Sequence, residues 1–85
     1  MTTYDFGNGP VPAHQHPNGG GWVADTAIVE DTTYVGPNAR VFGNAWVSGN
    51  ALVSDDAWVS DDAWVSGNAL VSGDAWVAGN ARVVE

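Results

Sequence analysis

The amino-acid sequence predicts an all-β protein in which a single chain winds into a parallel β-helix. Three observations carry this expectation. A hexad repeats without interruption from Trp22 onward, as in GNAWVSGNALVSDDAWVSDDAWVS (Gly43 to Ser66). Val holds the same place in it at 23, 29, 35, 41, 47, 53, 59, 65, 71, 77 and 83. From position 27 onward the residue two before each Val is small, Ala at every site except Thr33. A fixed short period of this kind marks a stacked repeat architecture and outranks single-residue propensity.

In chain order, residues 1–21 come first. They are rich in Gly, Pro, Asn and His and read as an irregular leader of turns and loop that caps the array. Residues 22–85 are the array. Each hexad divides into four strand residues and two corner residues, the corners being Asp-Thr, Pro-Asn, Gly-Asn, Asp-Asp or Gly-Asp. Within Ala-Trp-Val-Ser, alternation puts Ala and Val on one side and Trp and Ser on the other. A meander of hairpins would use each corner as a two-residue turn. Ser48 would then share a face with Ala51, and the Ala/Val set would change sides at every strand. Gly-Asn is also the reverse of the favoured hairpin order. Only a coil that bends at each corner keeps Ala and Val inward throughout.

These hexads resemble those of the left-handed parallel β-helix proteins, in which an aliphatic and a small residue recur at fixed places. The likeness covers about residues 22–85, where ten successive hexads fit. The resemblance implies a triangular prism of three hexads per coil, hence about three and a half coils with residues 18 apart stacked. The form GNAxVxGNAxV, led by GGWVADTA, is similar to repeat proteins encoded by bacteria and their phages, many without an assigned activity.

An 18-residue period sorts the outward side chains into three columns: Trp22, Arg40, Trp58 and Trp76; Ile28, Trp46, Trp64 and Arg82; Tyr34, Leu52 and Leu70. Neighbours in a column stand about 4.8 Å apart, the strand spacing. Rings at that distance can stack, and Arg40 is expected between Trp22 and Trp58 in a cation–π contact. So many outward apolar residues exceed what a small monomer ordinarily shows. Trp is enriched at interface hot spots. Trp22, Arg40, Trp46, Trp58, Trp64, Trp76, Leu52 and Leu70 are therefore the candidate interface residues. Inward, Val stacked on Val beside Ala makes a narrow, dry core.

Composition bounds the remaining functions. Ten acidic residues against two Arg and no Lys give a formal charge of −8, which disfavours nucleic acid as a partner. No apolar run approaches a membrane span, and MTTYDFGNGPVPAHQHPNGGGW has neither the basic nor the apolar region of a signal peptide. There is no Cys, so neither a disulfide nor a thiolate metal site is available. His14 and His16 are the candidate metal pair, but two ligands are too few for a structural site unless a threefold assembly supplies six. An ordinary loop is the simpler reading of AHQHPNGG. Phage spike tips capped by metal resemble the H-x-H arrangement, though at the opposite chain end. Asp56 above Asp74 is a like-charge contact that a hard cation such as Ca²⁺ would relieve, but Asp and Asn also favour corners for conformational reasons. No cofactor is expected.

Enzyme readings meet missing groups. Hexapeptide acyltransferases use a catalytic His, and trimeric γ-type carbonic anhydrases bind zinc through three His in the hexads. Residues 22–85 contain no His, Cys or Lys, so a general base of suitable pKa is absent from the array. Ice binding wants outward ladders of Thr, which these columns lack. The expectation is a non-catalytic structural module that self-associates as a homotrimer or docks with another structural protein. The resemblance implies a phage virion or bacterial surface setting. The alternatives are a degenerate relative of the hexapeptide enzymes that keeps only the scaffold, and a binding module whose Trp face takes a foreign protein or a glycan.

Overall fold

The structure, a computed structural model, describes residues 2–7 and 9–84. A hairpin opens the chain, β1 (Thr3–Asp5) and β2 (Pro10–Gln15). Eleven short strands follow: β3 (Trp22–Ala24), β4 (Ile28–Val29), β5 (Tyr34–Val35), β6 (Arg40–Val41), β7 (Trp46–Val47), β8 (Leu52–Val53), β9 (Trp58–Val59), β10 (Trp64–Ser66), β11 (Leu70–Val71), β12 (Trp76–Val77) and β13 (Arg82–Val84). They stack as a β-solenoid of parallel coils. One face runs β3-β6-β9-β12 and is extended by the hairpin, the second runs β4-β7-β10-β13, and the third β5-β8-β11.

The register follows the 18-residue period. Val41 lies over Val23, Val59 over Val41, and Val77 over Val59. Val47 and Val65 stack on the second face, and Val53 and Val71 on the third. Val23, Val35, Val41, Val47, Val53, Val59 and Val65 are all 0% exposed, with Ala45, Ala51, Ala57, Ala63 and Ala69 filling the gaps between them. Three inward columns meeting in so narrow a prism leave room for a β-branched residue and a methyl group, and for little more. Each buried Val contributes about 1.5–3 kcal/mol. Thr33, the one exception in the Ala column, is fully buried and its hydroxyl donates to the Gly49 carbonyl at 3.1 Å.

Every corner from residue 24 onward is a β-turn, but the turns are of two kinds. At Asp25, Asp31 and Pro37 the first corner residue has an ordinary negative φ. From Gly43 onward it is left-handed: Gly43 (70°), Gly49 (69°), Gly67 (68°), Gly73 (65°) and Gly79 (65°). Asp55 (57°) and Asp61 (59°) take the same conformation with a side chain. Their carboxylates answer a need of the next coil. Asp55 Oδ2 accepts from the Gly73 N–H and Asp61 Oδ2 from the Gly79 N–H, both at 3.2 Å. Glu30 Oε1 does the same for Gly49 at 2.7 Å. Thr26 and Thr32 work the other way, their hydroxyls donating to the Gly43 and Gly49 carbonyls. Corner side chains thus carry the ladder across the bends.

The leader is more regular than its composition suggests. β1 and β2 are antiparallel, and β2 adds antiparallel to β3, with Ala13 opposite Ala24 and Gln15 opposite Trp22. The first coil leaves the edge of β3 unpaired, and an extended segment satisfies its peptide groups. Beyond β2 the chain crosses to the third face, where the Gly21 N–H donates to the Val35 carbonyl and the Val35 N–H to that of Asn18, both near strand-pairing distance (2.9 and 3.0 Å). The leader therefore closes the open edges of β3 and β5.

Two outcomes test this account. Val59→Asp buries an unpaired carboxylate in a fully enclosed column. It is expected to abolish the β signal in circular dichroism at room temperature. Gly49→Ala places a Cβ 2.9 Å from the Gly67 carbonyl oxygen, whereas at Gly73 an added Cβ meets nothing within 4 Å. Both substitutions incur the left-handed penalty, about 1 kcal/mol. Only Gly49→Ala adds a clash with backbone, so it lowers the urea midpoint more than Gly73→Ala does.

Candidate functional site

The outward columns form as the period requires. Trp22, Arg40, Trp58 and Trp76 are in register on the first face. Ile28, Trp46, Trp64 and Arg82 share the second, and Tyr34, Leu52 and Leu70 the third. What they do once stacked differs from face to face.

On the first face the leader joins the column. Tyr4 stacks on Trp22 with ring centroids 4.7 Å apart and planes 21° from parallel. Phe6 lies beside Tyr4 and stacks on Phe42 at 4.9 Å. Phe42 meets the edge of Trp58, and Trp58 meets Trp76 at 5.3 Å with planes 68° apart. The last pair is edge-to-face, where simple stacking was expected. The Trp76 indole turns because its Nε1–H donates to the Ser60 hydroxyl at 2.8 Å. Arg40 also departs from expectation. It lies over Trp58 (5.2 Å) and Tyr4 (5.5 Å), and its Nε donates to the Tyr4 hydroxyl at 2.9 Å. Tyr4 occupies the place beside Trp22 that Arg40 was expected to take. Trp22 and Arg40 are consequently half-buried under the leader.

Phe42 is the residue that sequence reasoning missed. It stands one after the repeat's Val, where most later hexads carry Ser, and that departure was the available signal. With Phe6 it walls a cavity of about 370 Å³ between hairpin and coil, whose floor includes Val11, Pro12 and Ala24. The polar side chains at its rim are engaged by the fold: Asp25 with His14, Thr26 with Gly43, and Asp61 with Gly79.

The second face is more open. Trp46 and Trp64 stack at 5.4 Å with planes 13° apart, and Arg82 lies over Trp64 at 5.3 Å. Arg82 thus does on this face what Arg40 does on the first. Trp64 Nε1 is covered by its neighbours and has no hydrogen-bond partner among the described residues. Ile28, Trp46, Leu52 and Leu70 are exposed, as is Trp76 at the far end of the first face.

The two histidines do not converge. His14 Nδ1 lies 2.7 Å from Asp25 Oδ1 on the surface, whereas His16 is buried and its Nε2–H donates to the Thr33 carbonyl at 2.7 Å. Each ring has a separate task in fixing the leader to the first coil. Among the described residues, no three His, Cys, Asp or Glu side chains cluster in a way that would hold a metal ion. Asp56 and Asp74 do lie together, on the wall of a second cleft of about 200 Å³ beside Trp58 and Trp76.

The geometry is that of a β-solenoid repeat protein. A family model described as the YdcK beta solenoid repeat matches residues 45–61 and 63–79, the central coils of the array. No curated protein and no solved structure matches the chain.

The aromatic run explains a local prediction. Phe6→Ala removes the link between hairpin and coil. Amide protection in β1 and β2 is expected to fall by at least about tenfold, for a loss of more than about 1.4 kcal/mol. Protection in β9 and β10 is expected to stay unchanged. Hydrogen exchange followed by mass spectrometry separates the two.

Proposed function

We propose that this protein is a non-catalytic structural module that associates with copies of itself, as a homotrimer of parallel prisms. The observation that supports the reading is the uncovered apolar surface of the columns: Ile28 is 54% exposed, Trp46 44%, Leu70 56% and Trp76 63%. Ile28 and Trp46 are neighbours on the second face, while Leu70 and Trp76 lie on the other two, and this much exposed apolar surface on so small a chain marks an interaction surface. Trp is among the residue types that most often carry binding energy. A cyclic trimer joins two different patches of each subunit, one meeting the other around the ring. The second face and the upper half of the first suit those roles. The lower half of the first face is occupied by the leader, so Trp22 and Arg40 are assigned to internal support. A relationship to the hexapeptide-repeat proteins, and a place in a virion or bacterial surface assembly, belong to this reading through the resemblance alone.

Light scattering tests it. The parent is expected at about three times the 8.8 kDa chain mass. Trp46→Ser combined with Trp76→Ser removes exposed side chains only, so the β signal stays while the mass moves toward monomer. Leu52→Ser with Leu70→Ser is expected to do less. A monomeric parent would refute self-association and favour an external partner.

A further inference from the structure

We propose that the cleft between Trp58 and Trp76 receives the Arg82 guanidinium of a second copy of this chain, and that this contact sets the register of the assembly. The inference rests on the self-association argued above and deepens it.

The cleft has the chemistry of an organic-cation site. Its lining is Asp56, Trp58, Asp74, Ala75 and Trp76. Two indoles meeting at 68° present aromatic surface from two directions, and a cation over such a surface is attracted by the ring quadrupole. Asp56 and Asp74, on adjacent coils, add two negative charges at strand spacing. A volume of about 200 Å³ suits a guanidinium rather than a large ligand.

Among the described residues, no cationic side chain of this chain pairs with the two carboxylates of this cleft. The chain's positive side chains are two Arg, with no Lys. Arg40 approaches Trp58 from the coil below and is held there by the Tyr4 hydroxyl. Arg82 lies on the next face over Trp64. Among the described residues, the one ion pair is His14 with Asp25, far from this corner in the chain's order. Both Arg residues already sit on Trp rings, so the fold uses this pairing twice, and the exposed Trp76 with its two carboxylates is the third such place.

Position singles out the occupant. Trp76 is in the fourth strand of the first-face coils and Arg82 in the fourth strand of the second, six residues later on the same coil. They therefore stand at one height along the solenoid axis. In a ring of parallel prisms all copies share that height, so the second face of one copy meets the first face of the next with Arg82 opposite Trp76 and Trp64 opposite Trp58. Arg82 is exposed, with its guanidinium carbon 5.3 Å from the centre of the Trp64 ring, and among the described residues no side chain takes its N–H groups, which leaves it able to meet a second indole and the carboxylates.

The test uses the whole chain and sedimentation or light scattering over a concentration series. Arg82→Ala is expected to raise the dissociation constant by about tenfold or more, and Asp56→Asn with Asp74→Asn to do the same. All three side chains are exposed, so circular dichroism is expected to stay at the parent's. Exchanging the charges in one chain, Arg82→Glu with Asp74→Arg, is expected to recover association that Arg82→Glu alone loses. If the parent assembles and Arg82→Ala assembles equally well, the Arg82 contact is overturned while self-association stands. An exchange variant that stays dissociated overturns the pairing too. A monomeric parent overturns both readings together.

Discussion

Each strand of this solenoid from β3 to β10 pairs with the strand 18 residues later at one ladder spacing, and the rest of the structure depends on that stacking. Among the described residues, no strand within the coils exceeds three residues, too short to persist alone. The hydrogen bonds between coils hold only if the strands keep one register. An insertion within a strand would shift all later columns. The inward columns enforce the same condition from within, because Val on Val at about 4.8 Å leaves no room for a side chain of another size. Uniform inward chemistry and an unbroken period are thus one requirement seen from two sides.

The corners show how that requirement is met at the bends. From Gly43 onward a left-handed residue turns the chain between faces, and Gly takes that conformation most readily. Asp at 55 and 61 accepts the strain and supplies a carboxylate to the N–H of the corner above. Part of the acidity of this chain is therefore structural, since carboxylates stand where a peptide acceptor is lacking. The two acidic residues beside Trp76 are different, because nothing among the described side chains engages them through a hydrogen bond.

The outward columns divide by what covers them. On the first face the leader supplies Tyr4 and Phe6, so aromatic contact runs unbroken from Trp22 to Trp76 and the lower coils are closed. On the second and third faces Ile28, Trp46, Leu52 and Leu70 are left exposed by the described residues. Stacking alone accounts for Trp46 on Trp64, yet it leaves the outer surface of the stack in water, and that residual surface is the basis of the association proposed above.

Sequence by itself determined the coil, its register and the membership of every column, because a six-residue period with one small and one branched residue admits a single arrangement with a continuous core. Val59 at the centre and Trp64 over Trp46 were legible from spacing alone. It could not decide how the outward side chains meet. The turn of Trp76 toward Ser60, the move of Arg40 from Trp22 to Tyr4, and the burial of Phe6 against Phe42 depend on contacts between segments that no period relates. The leader is the clearest case. Residues 1–21 carry no repeat, and their Gly and Pro content reads as loop, yet β2 is a strand because the free edge of β3 lies beside it. Only the folded chain brings that edge into being, and only there do Trp58, Trp76, Asp56 and Asp74 become the walls of one cleft.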